Sequence, residues 1–197
     1  MLVVDLSNNN GGPIDFKQMK QAGVGGVYLK CTEGVNFADR NFAEWRRGAQ
    51  AAGLRTGAYH FARPDRNAPE AEAEWFLQHL PRLTTKDWRP CLDYETHPAD
   101  AEWARAFDHA VHRRINLFPL FYTYASFATE LRATEPVGAG LWLASYGRND
   151  GQEHPYSVPR PWRSIVGHQF TSNARIAGVP GRVDLSNFTK PRSLDTV

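Results

Sequence analysis

The chain has 197 residues, which suits one large domain with a substantial core. Its hydrophobic content of 42% and charged content of 22% are ordinary for a globular protein, and a net charge of +2 does not indicate a polyanionic partner. It contains neither a basic run interleaved with aromatic residues nor an apolar stretch of membrane-spanning length, so we expect neither nucleic-acid binding nor membrane insertion.

The amino terminus enters a strand-like run directly, without the basic and long apolar regions of a secretory signal. We therefore expect synthesis in the cytoplasm without a signal peptide. The two cysteines, Cys31 and Cys91, lie in separate apolar runs. This placement favours buried free thiols over a disulfide.

Eight short apolar runs are predicted to be β-strands. They cover residues 2–6, 26–31, 55–61, 90–95, 118–124, 141–146, 165–171 and 182–185. Helical patterns separate the first six: one between Asp39 and Gly53, one opened by Pro69, one preceded by Asp100, and a short one after Ser126. Strand–helix alternation followed by strands alone predicts an α/β fold, a single modified TIM-like barrel of eight strands.

Acidic residues occur at the ends of several predicted strands. Asp93 and Glu95 are two residues apart, so on an extended strand they point to the same side about 6.6 Å apart. Asp5 ends the first strand, Glu33 follows the second, and Asp184 lies in the last. Each acid alone is typical of a turn or a solvated strand end. Together they predict a carboxylate-lined cleft at one mouth of the barrel.

Aromatic residues share these strand ends. They are Tyr59, Phe61, Tyr122, Tyr124, Trp142 and Tyr146. For any one of them a place in the core is the ordinary interpretation. A cleft of carboxylates and aromatic rings with few cations nevertheless indicates a neutral, ring-shaped substrate, and carbohydrate fits that description better than phosphate.

Several motifs resemble those of the glycoside hydrolase family 25 lysozymes, the Chalaropsis-type muramidases that include many phage endolysins. The similar stretches are Val4-Asp5-Leu6-Ser7, Lys30-Cys31-Thr32-Glu33-Gly34, Gly57-Ala58-Tyr59-His60-Phe61, Leu92-Asp93-Tyr94-Glu95, Leu141-Trp142-Leu143-Ala144 and Val183-Asp184-Leu185. The resemblance implies a (β/α)5β3 barrel. It also implies a lysozyme that cleaves the β-1,4 bond between N-acetylmuramic acid and N-acetylglucosamine in peptidoglycan.

Glycoside hydrolysis needs a proton on the leaving oxygen and stabilisation of an oxocarbenium-like centre. We assign Glu95 as the general acid. Two charges about 6 Å apart at an effective dielectric of about 20 interact by roughly 2.8 kcal/mol, so an ionised Asp93 would raise the pKa of Glu95 by about two units. Asp93 would then orient the substrate acetamido group. The alternative is an inverting reaction in which Asp5 or Asp184 activates a water molecule.

By the same resemblance, Asp5 and Asp184 complete the catalytic acids and hold substrate hydroxyls or water. The implied substrate-binding residues are Lys30, Glu33, Tyr59, Phe61, Tyr122, Trp142 and Gln169. No cofactor is implied. The expected partner is a glycan strand of peptidoglycan, and the expected organisation is one catalytic domain over residues 1–197 without a separate wall-binding domain. Action on the wall would follow release, with a holin or other export partner acting separately.

Three other functions compete with this interpretation. A metal-dependent hydrolase is disfavoured because the seven histidines show no H-E-x-x-H spacing, and a serine hydrolase because no G-x-S-x-G motif is present. His60 is expected to have a structural hydrogen-bonding role. The remaining alternative is a catalytically silent glycan-binding module on the same barrel, against which the complete set of acids argues.

Overall fold

The computed structural model describes residues 1–189 and 194–196. Its strands are β1 (Leu2–Leu6), β2 (Val24–Glu33), β3 (Phe37–Ala38), β4 (Arg55–Phe61), β5 (Cys91–Asp93), β6 (Leu120–Tyr124), β7 (Leu141–Ala144), β8 (Ile165–Ala174) and β9 (Val183–Phe188). Its α-helices are α1 (Phe16–Gln21), α2 (Phe42–Ala51), α3 (Pro69–His79), α4 (Ala101–Ile115) and α5 (Ala125–Glu130). Within this part of the chain, no helix is both long and apolar enough to cross a membrane.

Eight of the strands close into a barrel, as predicted. Neighbouring strands follow the order β1, β2, β4, β5, β6, β7, β8 and β9, and β9 returns to β1. Pairing is parallel from β1 to β8, whereas β9 runs antiparallel to both of its neighbours. The two-residue strand β3 folds back on the end of β2 as a short hairpin outside the barrel.

The predicted strands are all present; β1 and β4 have the predicted bounds and the other six have shifted ends. The most consequential difference is in β5, predicted over residues 90–95 but paired only from Cys91 to Asp93. After Asp93 the chain turns away, because the Tyr94 hydroxyl binds the carbonyl of Pro98 at 2.6 Å and receives the Asp100 N–H at 3.1 Å. Glu95 therefore lies in the loop after the strand.

Helices α3 and α4 begin where the sequence supplies the usual start signals. Asp100 accepts hydrogen bonds from the N–H groups of Glu102 and Trp103 at the start of α4, and Pro69 occupies the first turn of α3. Helix α1 was not among the helices named from the sequence. Its cap is Asp15, which accepts the N–H groups of Lys17 and Gln18 at 3.0 Å, and this residue is the signal that marks the helix.

Two apolar layers fill the molecule. The larger layer packs the helices against the outside of the barrel, and it includes Tyr94, Trp103 and Phe107. The smaller one fills the barrel interior with aromatic rings, including Tyr28 and Trp142. Gly57 leaves the space that the Tyr28 ring occupies, because a Cβ at this position would lie 2.1 Å from that ring. The packed interior forms the floor of the cavity described next.

Candidate active site

A cavity of about 250 Å³ opens at one end of the barrel. It is lined by Asp5, Ser7, Asn9, Lys30, Tyr59, Phe61, Cys91, Asp93, Glu95, Tyr122, Trp142, Tyr146, Gln169 and Asp184. Every residue predicted for the site lines this cavity except Glu33. The cavity also contains Ser7, Asn9 and Cys91, which the sequence does not predict for the site, and Tyr146, one of the aromatic residues predicted at the strand ends. Ser7 and Asn9 follow Asp5 in the turn after β1, and Tyr146 lies two residues beyond β7.

Asp93 and Glu95 both reach the cavity, although only Asp93 belongs to β5. Asp93 is 9% exposed, and its buried Oδ1 has no hydrogen-bond partner among the described residues. Tyr94, between the two acids, points outward and is fully buried against Trp103 and Phe127. This outward orientation confirms the prediction that the two acids share the mouth while the tyrosine packs outside the barrel.

Asp5 and Asp184 are opposite each other in the pairing of β1 with β9. Asp5 lies near the carboxyl end of β1, whereas Asp184 is the second residue of β9. The antiparallel direction of β9 places the start of this strand at the same rim of the barrel. The two carboxyls therefore meet even though they belong to opposite ends of their strands.

Gln169 on β8 connects three of the cavity residues. Its Oε1 accepts the hydroxyls of Tyr122 at 2.8 Å and Tyr146 at 2.6 Å, and its Nε2 donates to Asp5 Oδ2 at 3.0 Å. A hydroxyl can donate or accept, whereas an ionised carboxylate only accepts, so Asp5 sets the orientation in which the amide N–H faces Asp5 and the amide oxygen faces the two hydroxyls. The side chain thus holds two aromatic walls and one carboxylate in a fixed arrangement.

The pKa values of all four cavity acids are raised. Burial is the main cause for Asp5 and Asp93, with further contributions from Asp184 to the pKa of Asp5 and from Glu95 to that of Asp93. Burial also raises the pKa of Asp184 to about 6. The pKa of Glu95 is raised first by burial and then by the charge of Asp184, while Lys30 lowers it.

The pKa of Glu95 is raised, as predicted, but the cause differs from the predicted one. Asp93 was expected to stay ionised and to be the main perturber. Instead, the pKa of Asp93 is itself raised well above its ordinary value, and burial and Asp184 act on Glu95. The physical reason is that acids removed from water in one small cavity share protons as a group.

Lys30 is the cation in the cavity wall, 8% exposed, and its Nζ lies 4.8 Å from the centre of the Phe61 ring. Glu33 lies behind it and forms an ion pair with Lys30 rather than lining the cavity. Glu33 Oε1 also receives a hydrogen bond from Arg63 Nε at 2.7 Å. Burial opposes ionisation of Glu33, but these two partners outweigh it and lower its pKa.

His60 lies outside the cavity, as expected for a structural residue. Its Nδ1 is 2.8 Å from Thr32 Oγ1, and its Nε2 is 2.8 Å from Glu72 Oε2, with all three side chains buried. Burial lowers the pKa of His60, although Glu72 opposes this change. In the described part of the chain, no group of three or more His, Cys, Asp or Glu side chains is arranged to hold a metal ion.

The cavity can thus bind a neutral polyhydroxylated ring and supply a proton to it. Aromatic walls from Tyr59, Tyr122 and Trp142 offer apolar faces, and the carboxyls offer hydrogen-bond partners for hydroxyl and N–H groups. A carboxyl with a raised pKa can hold a proton near neutral pH and donate it in a reaction.

Comparison with known proteins agrees with this chemistry. The family model described as Glycosyl hydrolases family 25 matches residues 4–179. The chain is 29% identical over 193 residues to the autolytic lysozyme of Clostridium acetobutylicum, covering 95% of this chain and 55% of that protein. It is 28% identical to lysozyme M1 of Streptomyces globisporus, covering 94% of this chain and 66% of that protein.

A solved structure shows the same architecture. The bacterial lysozyme from Streptomyces coelicolor superposes with a TM-score of 0.82 at 27% identity, covering 96% of this chain and 92% of that one. The chain therefore spans nearly all of this solved domain, but only about half to two thirds of the length of the two curated relatives.

Proposed function

The chain belongs to family 25 of the glycosyl hydrolases, and we propose that it is a muramidase that hydrolyses the β-1,4 bond between N-acetylmuramic acid and N-acetylglucosamine in bacterial peptidoglycan. The observation that carries this proposal is the pair of carboxyls of Asp93 and Glu95 at one mouth of the barrel. Most glycoside hydrolases use a pair of carboxyl groups beside the scissile bond. The lysozyme names of the relatives support the same substrate class.

Glu95 is the proposed general acid. Its raised pKa favours the protonated carboxyl, the form that can donate a proton to the leaving glycosidic oxygen. It is also less enclosed than Asp93, so it can approach an oxygen atom at the edge of the sugar. As the reaction proceeds, the negative charge left on Glu95 is stabilised by Lys30, which already favours the ionised form.

Asp93 is the proposed partner of the substrate acetamido group. Its Oδ1 has no hydrogen-bond partner among the described residues, so it is available to accept the acetamido N–H and orient that group towards the anomeric carbon. Burial and Glu95 raise the pKa of Asp93 and Lys30 opposes that rise, so this role requires that the proton shared by the two neighbouring acids lie on Glu95. In the competing inverting reaction, Asp5 or Asp184 would activate a water molecule instead.

The proposed partner is a single glycan strand of the bacterial cell wall, and the proposed organisation is one catalytic domain over residues 1–197, of which 190–193 and 197 lie outside the described residues. No cofactor takes part in the proposed reaction. Action on the wall would follow release from the cytoplasm, with a holin or other export partner acting separately.

The function is tested by digesting purified peptidoglycan and reducing the products with borohydride before mass spectrometry. A new reducing end on N-acetylmuramic acid is the expected result, and a reducing end on N-acetylglucosamine would contradict the proposed bond. Anomer-resolved NMR of the first products distinguishes retention, which the acetamido mechanism predicts, from inversion.

Glu95→Gln should nearly abolish product formation while leaving the fold unchanged. Glu44→Gln, which alters an exposed acid on α2, is the matched control and should retain full activity. Binding of peptidoglycan by the unaltered protein without release of products would instead favour the glycan-binding module.

A further inference from the structure

Glu33 is shared by two cations. One carboxylate oxygen binds Lys30 Nζ, and the other receives Arg63 Nε at 2.7 Å. Of these two cations, Lys30 lines the cavity and Arg63 does not, so Arg63 reaches the site through Glu33 and the Phe61 ring. The two positive charges and one negative charge leave this group with one net positive charge beside Asp93 and Glu95.

The position of Arg63 is fixed by buried contacts. Its backbone N–H lies 3.1 Å from both carboxylate oxygens of Glu72, a fully buried residue whose Oε2 also contacts His60. Its guanidinium lies 4.8 Å from the centre of the Phe61 ring, the same distance as Lys30 Nζ. The Phe61 ring thus contacts both cations, and Glu33 bridges them.

We propose that Arg63 is a positioning residue of the active site, which occupies Glu33 so that the charge of Lys30 acts on the catalytic acids Asp93 and Glu95. This inference rests on the proposed function and extends it to a residue outside the cavity. Without Arg63, Glu33 would neutralise Lys30 alone, and the group would have no net charge.

The charges around Lys30 give the direction of the effect. Glu33 lies on its own strand, His60 on the neighbouring β4, and Asp93 and Glu95 at the end of β5. Burial raises the pKa of both catalytic acids, and Lys30 opposes that rise. Burial lowers the pKa of His60 and so favours its neutral form. Loss of net positive charge should therefore raise the pKa of Glu95, and a gain should lower it.

The test compares Arg63→Gln, Glu33→Gln and the double variant, which carry none, two and one net positive charges in this group. The basic limb of the pH profile of kcat/KM reports the pKa of the general acid. It should move up by about half a pH unit or more in Arg63→Gln and down by a similar amount in Glu33→Gln. The double variant should return close to the unaltered protein, and Arg63→Lys should restore the profile that Arg63→Gln loses.

Opposite shifts in the two single variants are the signature of the proposal, because a merely structural ion pair would move both profiles in the same direction or neither. Either of those results would overturn it.

NMR titration of the Glu95 and Asp93 carboxyls in the same variants measures their pKa values without turnover. Absence of muramidase activity would then reject the proposed function, while the titrations would still decide the role of Arg63. If Arg63→Gln fails to fold, a downward shift in Glu33→Gln with an unchanged Arg63→Lys supports the proposal, and any other pattern overturns it.

Discussion

Asp5 and Asp184 face each other directly across the antiparallel pair of β1 and β9, so two half-buried carboxyls share one rim of the barrel. Their charges repel, and Asp184 contributes to the raised pKa of Asp5. Such a pair costs folding stability whenever both members are ionised. A pair of this kind is typical of functional sites, where stability is given up for reactivity.

Asp184→Asn should make the protein more stable at neutral pH. Burial raises the pKa of Asp184 from its ordinary 3.8 to about 6 in the folded protein. Because the folded state binds this proton more tightly than the unfolded state, the contribution to stability is complete below about pH 4. This contribution is lost as pH rises through about 6, and a shift of two units corresponds to roughly 3 kcal/mol. Urea unfolding between pH 4 and 8 should show the unaltered protein losing stability over this range and Asp184→Asn losing distinctly less. Parallel curves for the two proteins would contradict the prediction.

Asp93→Asn should lower kcat by about 10²–10³-fold with a small change in KM, because an amide of the same shape fills the space but cannot stabilise developing positive charge as a carboxylate does. Steady-state kinetics on soluble glycan strands measure this change. A loss confined to KM would mean that Asp93 binds the ground state only. Asp65→Asn, which alters an acid paired with Arg66 on the surface, should leave both constants unchanged.

Gln169→Met should destabilise the protein by about 2 kcal/mol, because the hydroxyls of Tyr122 and Tyr146 lose their shared acceptor. It should also raise the pKa of Asp5 further, since the hydrogen bond from Gln169 lowers it. Chemical denaturation and NMR titration of the Asp5 carboxyl measure the two effects. Tyr122→Phe is the comparison, because it removes one hydroxyl and leaves the bond to Asp5. An unchanged pKa of Asp5 in Gln169→Met would show that this bond has no electrostatic effect.

Leu194→Ala should cost about 2–4 kcal/mol of unfolding free energy, although the residue is close to the carboxyl terminus. Leu194 is 0% exposed and packs among the aromatic rings inside the barrel, and its carbonyl accepts the Arg89 N–H at 2.6 Å. Thermal and urea unfolding measure the loss. Thr196→Ala is the control and should stay within about 0.5 kcal/mol, since its hydroxyl makes long contacts of 3.4 and 3.5 Å with the carbonyls of Thr84 and Asp87.

The sequence alone was sufficient to predict the barrel and most of the site. Apolar runs of strand length alternating with helical patterns require a mainly parallel sheet, and helices covering one face of each strand leave the strand ends as the place for polar side chains. The placement of Asp5, Asp93 and Glu95 at the mouth of the barrel follows from that rule. The outward direction of Tyr94 follows as well, because side chains alternate along a strand.

Only the tertiary structure decided the position of Glu33 and the pKa values of the four acids in the cavity. A shift in the pairing of β2 with β4 between Lys30 and Thr32 breaks the alternation, so Glu33 comes to Lys30 while Thr32 turns to His60. Such a bulge depends on the neighbouring strand and has no signature in the local sequence. The pKa values likewise depend on burial and on the distances among acids far apart in the chain. For this protein, local patterns determined which residues surround the site, and long-range packing determined which of them carry charge and which hold the others in place.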